Sequence, residues 1–158
     1  MYKTMMLFTV FLLSILFQAA HSQESANDSG YTTKASDADP RQLVEMPDQA
    51  QKLMRDDMLE HLSALNEIIA HLSTNNLDAA AEIAESKMGK SSMGKHRGTG
   101  MGPGRFMPPE MRSIGWGMHE AATEFSQLAK KGDTKNAYVA LQKITGSCVA
   151  CHYGYRTR

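Results

Sequence analysis

The chain has 158 residues, 17 Lys and Arg against 17 Asp and Glu, and a hydrophobic share of 42 %, which fits one small domain. Balanced charge leaves no basic surface for phosphate neutralisation, and an aromatic share of 7 % gives few platforms for base stacking, so nucleic acid is not an expected partner. Two cysteines are too few for the multi-bridge framework of a secreted mini-protein.

Lys3, the largely apolar run from Met5 to Phe17, and the small residues Ala20 and Ser22 ahead of Gln23 read as a secretory signal peptide over 1–22. The run is shorter than the about 20 apolar residues that span a bilayer. The processed protein is therefore expected in the periplasm, without membrane insertion, and no cysteine lies near the cut to carry a lipid. Residues 23–45 are rich in Ser, Asp, Thr and Ala, with Leu43 and Val44 as their sizeable aliphatics, and read as a flexible leader. The folded domain is placed at 46–158.

Apolar periodicity within that domain is helical throughout. Met58, Leu62, Leu65, Ile69 and Leu72 step by four and three, predicting a first helix from near Pro47 to the Asn75-Asn76 turn. Leu77 to Met88 is Ala-rich, with Asn76 or Asp78 as N-cap and Gly89 as stop, and predicts a short second helix. Gly89 to Pro109 is too rich in glycine for a helix and too poor in β-branched residues for a strand, so it reads as a long crossover loop. Ile114, Met118, Ala121, Phe125 and Leu128 predict a third helix, opened by Pro108-Pro109-Glu110 and closed by Lys130-Lys131-Gly132. Asp133 caps a fourth, whose inward positions run Tyr138, Leu141, Thr145, Cys148, His152 and Tyr155 to the end of the chain. No segment reads as a strand. The expected fold is all-α: an antiparallel up-down-up-down four-helix bundle with a long loop between the second and third helices.

The chemistry concentrates in Cys148-Val149-Ala150-Cys151-His152, the attachment signal of c-type heme. Residues three apart on a helix put both sulfurs on neighbouring turns of one face, and His152, four residues from Cys148, shares that face. Each thiol can form a thioether with a heme vinyl group while the imidazole reaches the iron. A thioredoxin-type dithiol would instead place its first cysteine at a helix N-terminus after a strand. A disulfide is poorly oriented between residues i and i+3 of a regular helix.

Phe125-x-x-Leu128, Lys130-Lys131-Gly132-Asp133 and Ser147 through Arg156 resemble the closing helix pair of the class II c-type cytochromes, the cytochrome c′ group. That resemblance implies a four-helix bundle with one covalent heme c on its last helix, Cys148 and Cys151 as attachments, His152 as proximal iron ligand, and redox partner proteins, with a homodimer as one state of association. It carries Arg156 over as the arginine following the histidine by four residues. On a continuing helix Arg156 would lie one turn beyond His152, placed either to offset heme propionate charge or to cap the helix end.

In the resembled family a residue of the first helix faces the other side of the iron. Met58 is the candidate distal ligand, a soft thioether at the start of the inward stripe. Met54, one turn earlier, and His61, three residues later, are the alternatives, while His119 is expected to point away from the stripe that Met118 joins. A methionine there implies a single-electron carrier rather than an enzyme. An apolar or open distal side implies a five-coordinate cytochrome c′ that binds gases such as nitric oxide. A third reading comes from Met88, Met93, His96, Met101, Met107 and Met111, soft donors in and around the crossover that suit monovalent copper or, alternatively, fill gaps over the bundle end.

Overall fold

The computed structural model describes residues 39–157. The expected signal peptide and most of the expected leader lie outside these residues. The described chain is all-α apart from one pair of short strands. In order it forms β1 (Gln42–Val44), α1 (Asp48–Ser73), α2 (Leu77–Ile83), α3 (Pro109–Lys130), α4 (Thr134–Gly154) and β2 (Tyr155–Thr157). Among the described residues no helix is long and apolar enough to cross a membrane.

Local chemistry accounts for most of the boundaries. Pro47 and Pro108 precede the first turns of α1 and α3, where a fixed φ helps and a missing N–H costs little. Asn76 and Asp133 cap α2 and α4 by accepting from the backbone N–H of Ala79 at 3.3 Å and of Asn136 at 3.2 Å. Asn75, at φ 55, turns the chain out of α1, and Gly132, at φ 72, turns it out of α3. After α2 the backbone widens into a π-helical turn, Ala84–Met88, and the crossover that follows contains two 3₁₀ turns, Lys90–Ser92 and Pro103–Arg105.

Four helices pack together. The closest association is between α3 and α4, while α1 lies against α2 and the π-turn, which also rest on α3. α1 and α4 have no comparable contact. Small side chains fill the centre: Ala64 of α1, Ala80 and Ala81 of α2, Ala121 and Ala122 of α3, Ala137 and Ala140 of α4. They let the helix axes approach closely. Phe125, Ile68, Met88, Met111 and Ile144 are the largest fully buried side chains.

Two findings depart from the sequence reading. First, both ends of the described segment include a short strand. Tyr155 leaves α4 at φ −134 and ψ 152, and β2 pairs in parallel with β1, Leu43 opposite Arg156. Gln42–Val44, expected as the end of a flexible leader, is thus hydrogen-bonded structure, and Val44 is buried. Second, the stripes predicted to face inward on α1 and α4 sit on the flank of the buried face. Met58, Leu62 and Ile69 keep 36, 64 and 52 % of their surface exposed, whereas Ala50, Ala64 and Ile68 are buried. On α4 the buried residues are Ala137, Ala140 and Ile144, and Tyr138, Cys148 and His152 are exposed.

Phe125, fully buried in this core, sets the first expectation. Phe125→Ala should lower the free energy of unfolding by about 3–5 kcal/mol, read from denaturant titration by circular dichroism.

Candidate functional site

Cys148, Cys151 and His152 occupy the last two turns of α4. Both thiols are free. Cys148 donates its S–H to the carbonyl of Ile144 at 3.4 Å, and burial pushes both thiols above the usual cysteine range. Such thiols stay protonated at neutral pH, unlike the acidified nucleophile of a redox dithiol. The imidazole of His152 is exposed, and so are its neighbours Val149 and Tyr153. One face of the helix end therefore offers two protonated thiols, an imidazole and bare apolar surface.

The strand pair fixes where this helix end lies. β1 leads into α1 and β2 leaves α4, so their pairing puts the start of α1 and the end of α4 at one end of the fold. Arg41 reinforces the join: its Nη1 donates to the carbonyl of His152 at 3.4 Å, and its guanidinium grips Asp39, holding that carboxyl down at about 2. Arg156 is in β2, not on α4 as the helical reading placed it, because the helix stops at Gly154. Its Nε donates to the carbonyl of Arg41 at 3.3 Å and lies 3.7 Å from Asp39. These contacts tie β2 to the segment that leads into α1, the two named for Arg156 being with Arg41 and Asp39.

A cavity of about 560 Å³ opens between α1, the crossover and α3. Met54, Met58 and His61 line it from α1; Met93, His96 and Met107 from the crossover; Met118 and His119 from α3. The structure thus gathers all three distal-ligand candidates in one place, with Met58 at its exposed edge. Cys148, Cys151 and His152 do not line this cavity. Of the soft donors read along the crossover, Met88 and Met111 belong to the core and Met101 lies outside the cavity.

The crossover is clamped to α1. His96 Nε2 is 3.0 Å from each carboxylate oxygen of Asp57, and Lys95 Nζ lies 2.6 Å from Asp57 and also pairs with Glu60. Lys87 adds a 3.2 Å contact to Glu60. Gly89 is required at the start of this segment, since a Cβ there would meet Glu85 Cα at 2.8 Å.

Two histidines meet inside. The rings of His61 and His119 are 5.9 Å apart between centroids, with planes at 81°. His119 Nδ1 is 2.7 Å from the carbonyl of Met88, at the close of the π-turn. A carbonyl only accepts, so Nδ1 carries a proton and Nε2 is the ring nitrogen left for another partner. Burial, aided by the nearby His119, pushes His61 below its ordinary value. His119 was expected to point away. The signal for its inward position is a second set of small residues, Gly115, Ala122 and Ser126, at helical spacing from it; Ala122 and Ser126 are buried.

No protein-family model, curated protein or solved structure matches this chain.

Acid should act through His61. The unfolded chain takes up a proton there near 6.5, while the folded chain resists protonation to lower pH, so stability falls as pH drops through that window. Denaturant titrations between about pH 7 and pH 5 should show a steeper loss for the wild type than for His61→Gln.

Proposed function

We propose that the protein carries one covalent heme, attached through Cys148 and Cys151 with His152 on one side of the iron, and passes single electrons between partner proteins in the periplasm. The observation that carries this reading is the bare apolar flank of α4 around the Cys-Val-Ala-Cys-His segment, with exposed apolar side chains also along α1. α1 and α4 have little contact with each other, as do α1 and α3 and α2 and α4. Leu62 on α1, and Val149 and Tyr153 on α4, are exposed hydrophobic side chains of the kind a flat apolar group would cover. Burial of such surface is worth about 25 cal/mol per Å². The donor set fits: two protonated thiols and a free-standing imidazole on one helix face.

The heme supplies an iron that cycles between ferric and ferrous states. Everything else falls to the chain. Cys148 and Cys151 would hold the heme, each thiol adding across one vinyl group with its hydrogen going to the neighbouring vinyl carbon, so attachment would need no oxidant. His152 provides a lone pair, and Arg41 steadies the carbonyl of the same residue. Met58, on the side of α1 that leads to Leu62, would be the chain's other donor to the iron, a soft thioether suited to electron transfer. The short links at Thr74–Asn76 and at Lys131–Asp133, with the start of α1 and the end of α4 at the same end, support an up-down-up-down course for the four helices.

The exported protein should exceed its polypeptide mass by one heme that survives acid denaturation. Cys148→Ser with Cys151→Ser should abolish that increment; a wild type without it ends the reading. A methionine-to-iron charge-transfer band in the oxidised protein should disappear in Met58→Ala, with a change from six- to five-coordinate iron. Rapid carbon monoxide binding by the reduced wild type, with no such band, would replace the electron carrier by a gas-binding cytochrome c′.

A further inference from the structure

The cavity beneath the crossover is a different place from the bare flanks of α1 and α4. His61 precedes Leu62 by one residue, about 100° around the helix, and neither cysteine nor His152 lines the cavity. We infer that this cavity is a binding site for a monovalent copper ion, held by the imidazoles of His61 and His119 with the thioether of Met93 or Met107 as third donor.

Geometry allows one ion between the rings. With metal–nitrogen bonds of about 2.0 Å, two imidazoles on a single ion place their centroids roughly 5 to 6 Å apart. The separation here is 5.9 Å. His119 is already oriented as a ligand, its Nδ1–H spent on the Met88 carbonyl and its Nε2 left for another partner, which is the outer-shell arrangement that metal-binding histidines use. His61 reaches the same space from α1.

The remaining donors select the metal. Among the described residues no three His, Cys, Asp or Glu side chains converge on one point, so the four hard or borderline ligands of a structural zinc site are missing. Thioethers are plentiful instead: Met54, Met93, Met107 and Met118 share the cavity wall. Imidazole plus thioether at low coordination number suits copper in its reduced state. His96 holds Asp57 through Nε2, so it could meet an ion only through Nδ1. That same contact brings Met93 and Met107 in with the crossover and covers the ion.

This inference does not rest on the heme reading, and copper and heme are counted separately on the same sample. The exported full-length protein is titrated without oxygen with copper(I) against a chromogenic chelator, and the copper retained after desalting is measured. One copper per chain is expected. His61→Gln and His119→Gln should each weaken binding roughly tenfold or more, while His71→Gln, at the far end of α1, should leave it unchanged. X-ray absorption on the wild type should show nitrogen and sulfur neighbours together, a readout that does not depend on how the variants fold. No retained copper, a sulfur-only shell, or affinity unmoved in the His61→Gln, His119→Gln double variant would overturn the assignment.

Discussion

The close approach of α3 and α4 governs much of what the molecule can do. Ala121, Ala122, Ala129, Ala137 and Ala140 line the packed centre, and Phe125 and Ile144 fill what the alanines leave. Because small residues occupy the inner face of α4, the larger apolar residues and the chemistry-bearing ones, Tyr138, Leu141, Cys148 and His152, are displaced about a quarter turn to the flank. α1 is displaced in the same way, with Ala50, Ala64 and Ile68 inside and Leu62 and Ile69 out. A chain that meant only to bury its hydrophobes would have turned these helices to put leucine and tyrosine inward. Turning alanine inward leaves larger apolar side chains bare on both helices, Val149 and Tyr153 among them beside the motif.

Much of this was legible in the residues. Caps, prolines and terminal glycines mark all four helices to within a few positions, since these signals act within one turn and need no knowledge of the partner. The phase of the apolar stripes was harder. A wide stripe containing both alanine and leucine has two edges, and periodicity weights the larger side chain although the smaller one makes the tighter interface. The strand pair was hidden for a different reason. Gln42–Val44 and Tyr155–Thr157 are each too short to show alternation, and they gain structure only from each other, across nearly the whole described chain. Arg156 was misplaced for the same cause.

The crossover shows how a glycine-rich segment can hold a shape. Glycine raises the entropy lost on ordering, and Gly89 to Pro109 contains many. Against that stand Lys87, Lys95 and His96 gathered on Asp57 and Glu60, with Asp57 and His96 both largely shielded from solvent. Exposed ion pairs contribute only about 0–1 kcal/mol each. A network sharing two carboxylates, partly shielded and anchored at both ends by helices, is better placed than isolated pairs because fixing one side chain reduces the entropy lost by the next. Asp57 and Glu60 lie three residues apart, so the clamp meets α1 on one face and sits over Met54 and His61 rather than over Leu62.

α1 is therefore a wall with two uses. One side leads through Leu62 and Ile69 to bare surface; the other carries His61 into a cavity of imidazoles and thioethers. Met58 stands at the boundary, exposed enough to turn either way. A thioether binds ferrous iron and cuprous copper by the same softness, so residue type alone does not assign it. Met93, Met107 and Met58 all line the cavity with the histidine pair, and on α1 Met58 is the methionine nearer the flank that leads to Leu62. The π-turn bears on the same cavity. By closing at Met88 it frees a carbonyl to orient His119 and releases the chain into the crossover, which lines the cavity together with α1 and α3.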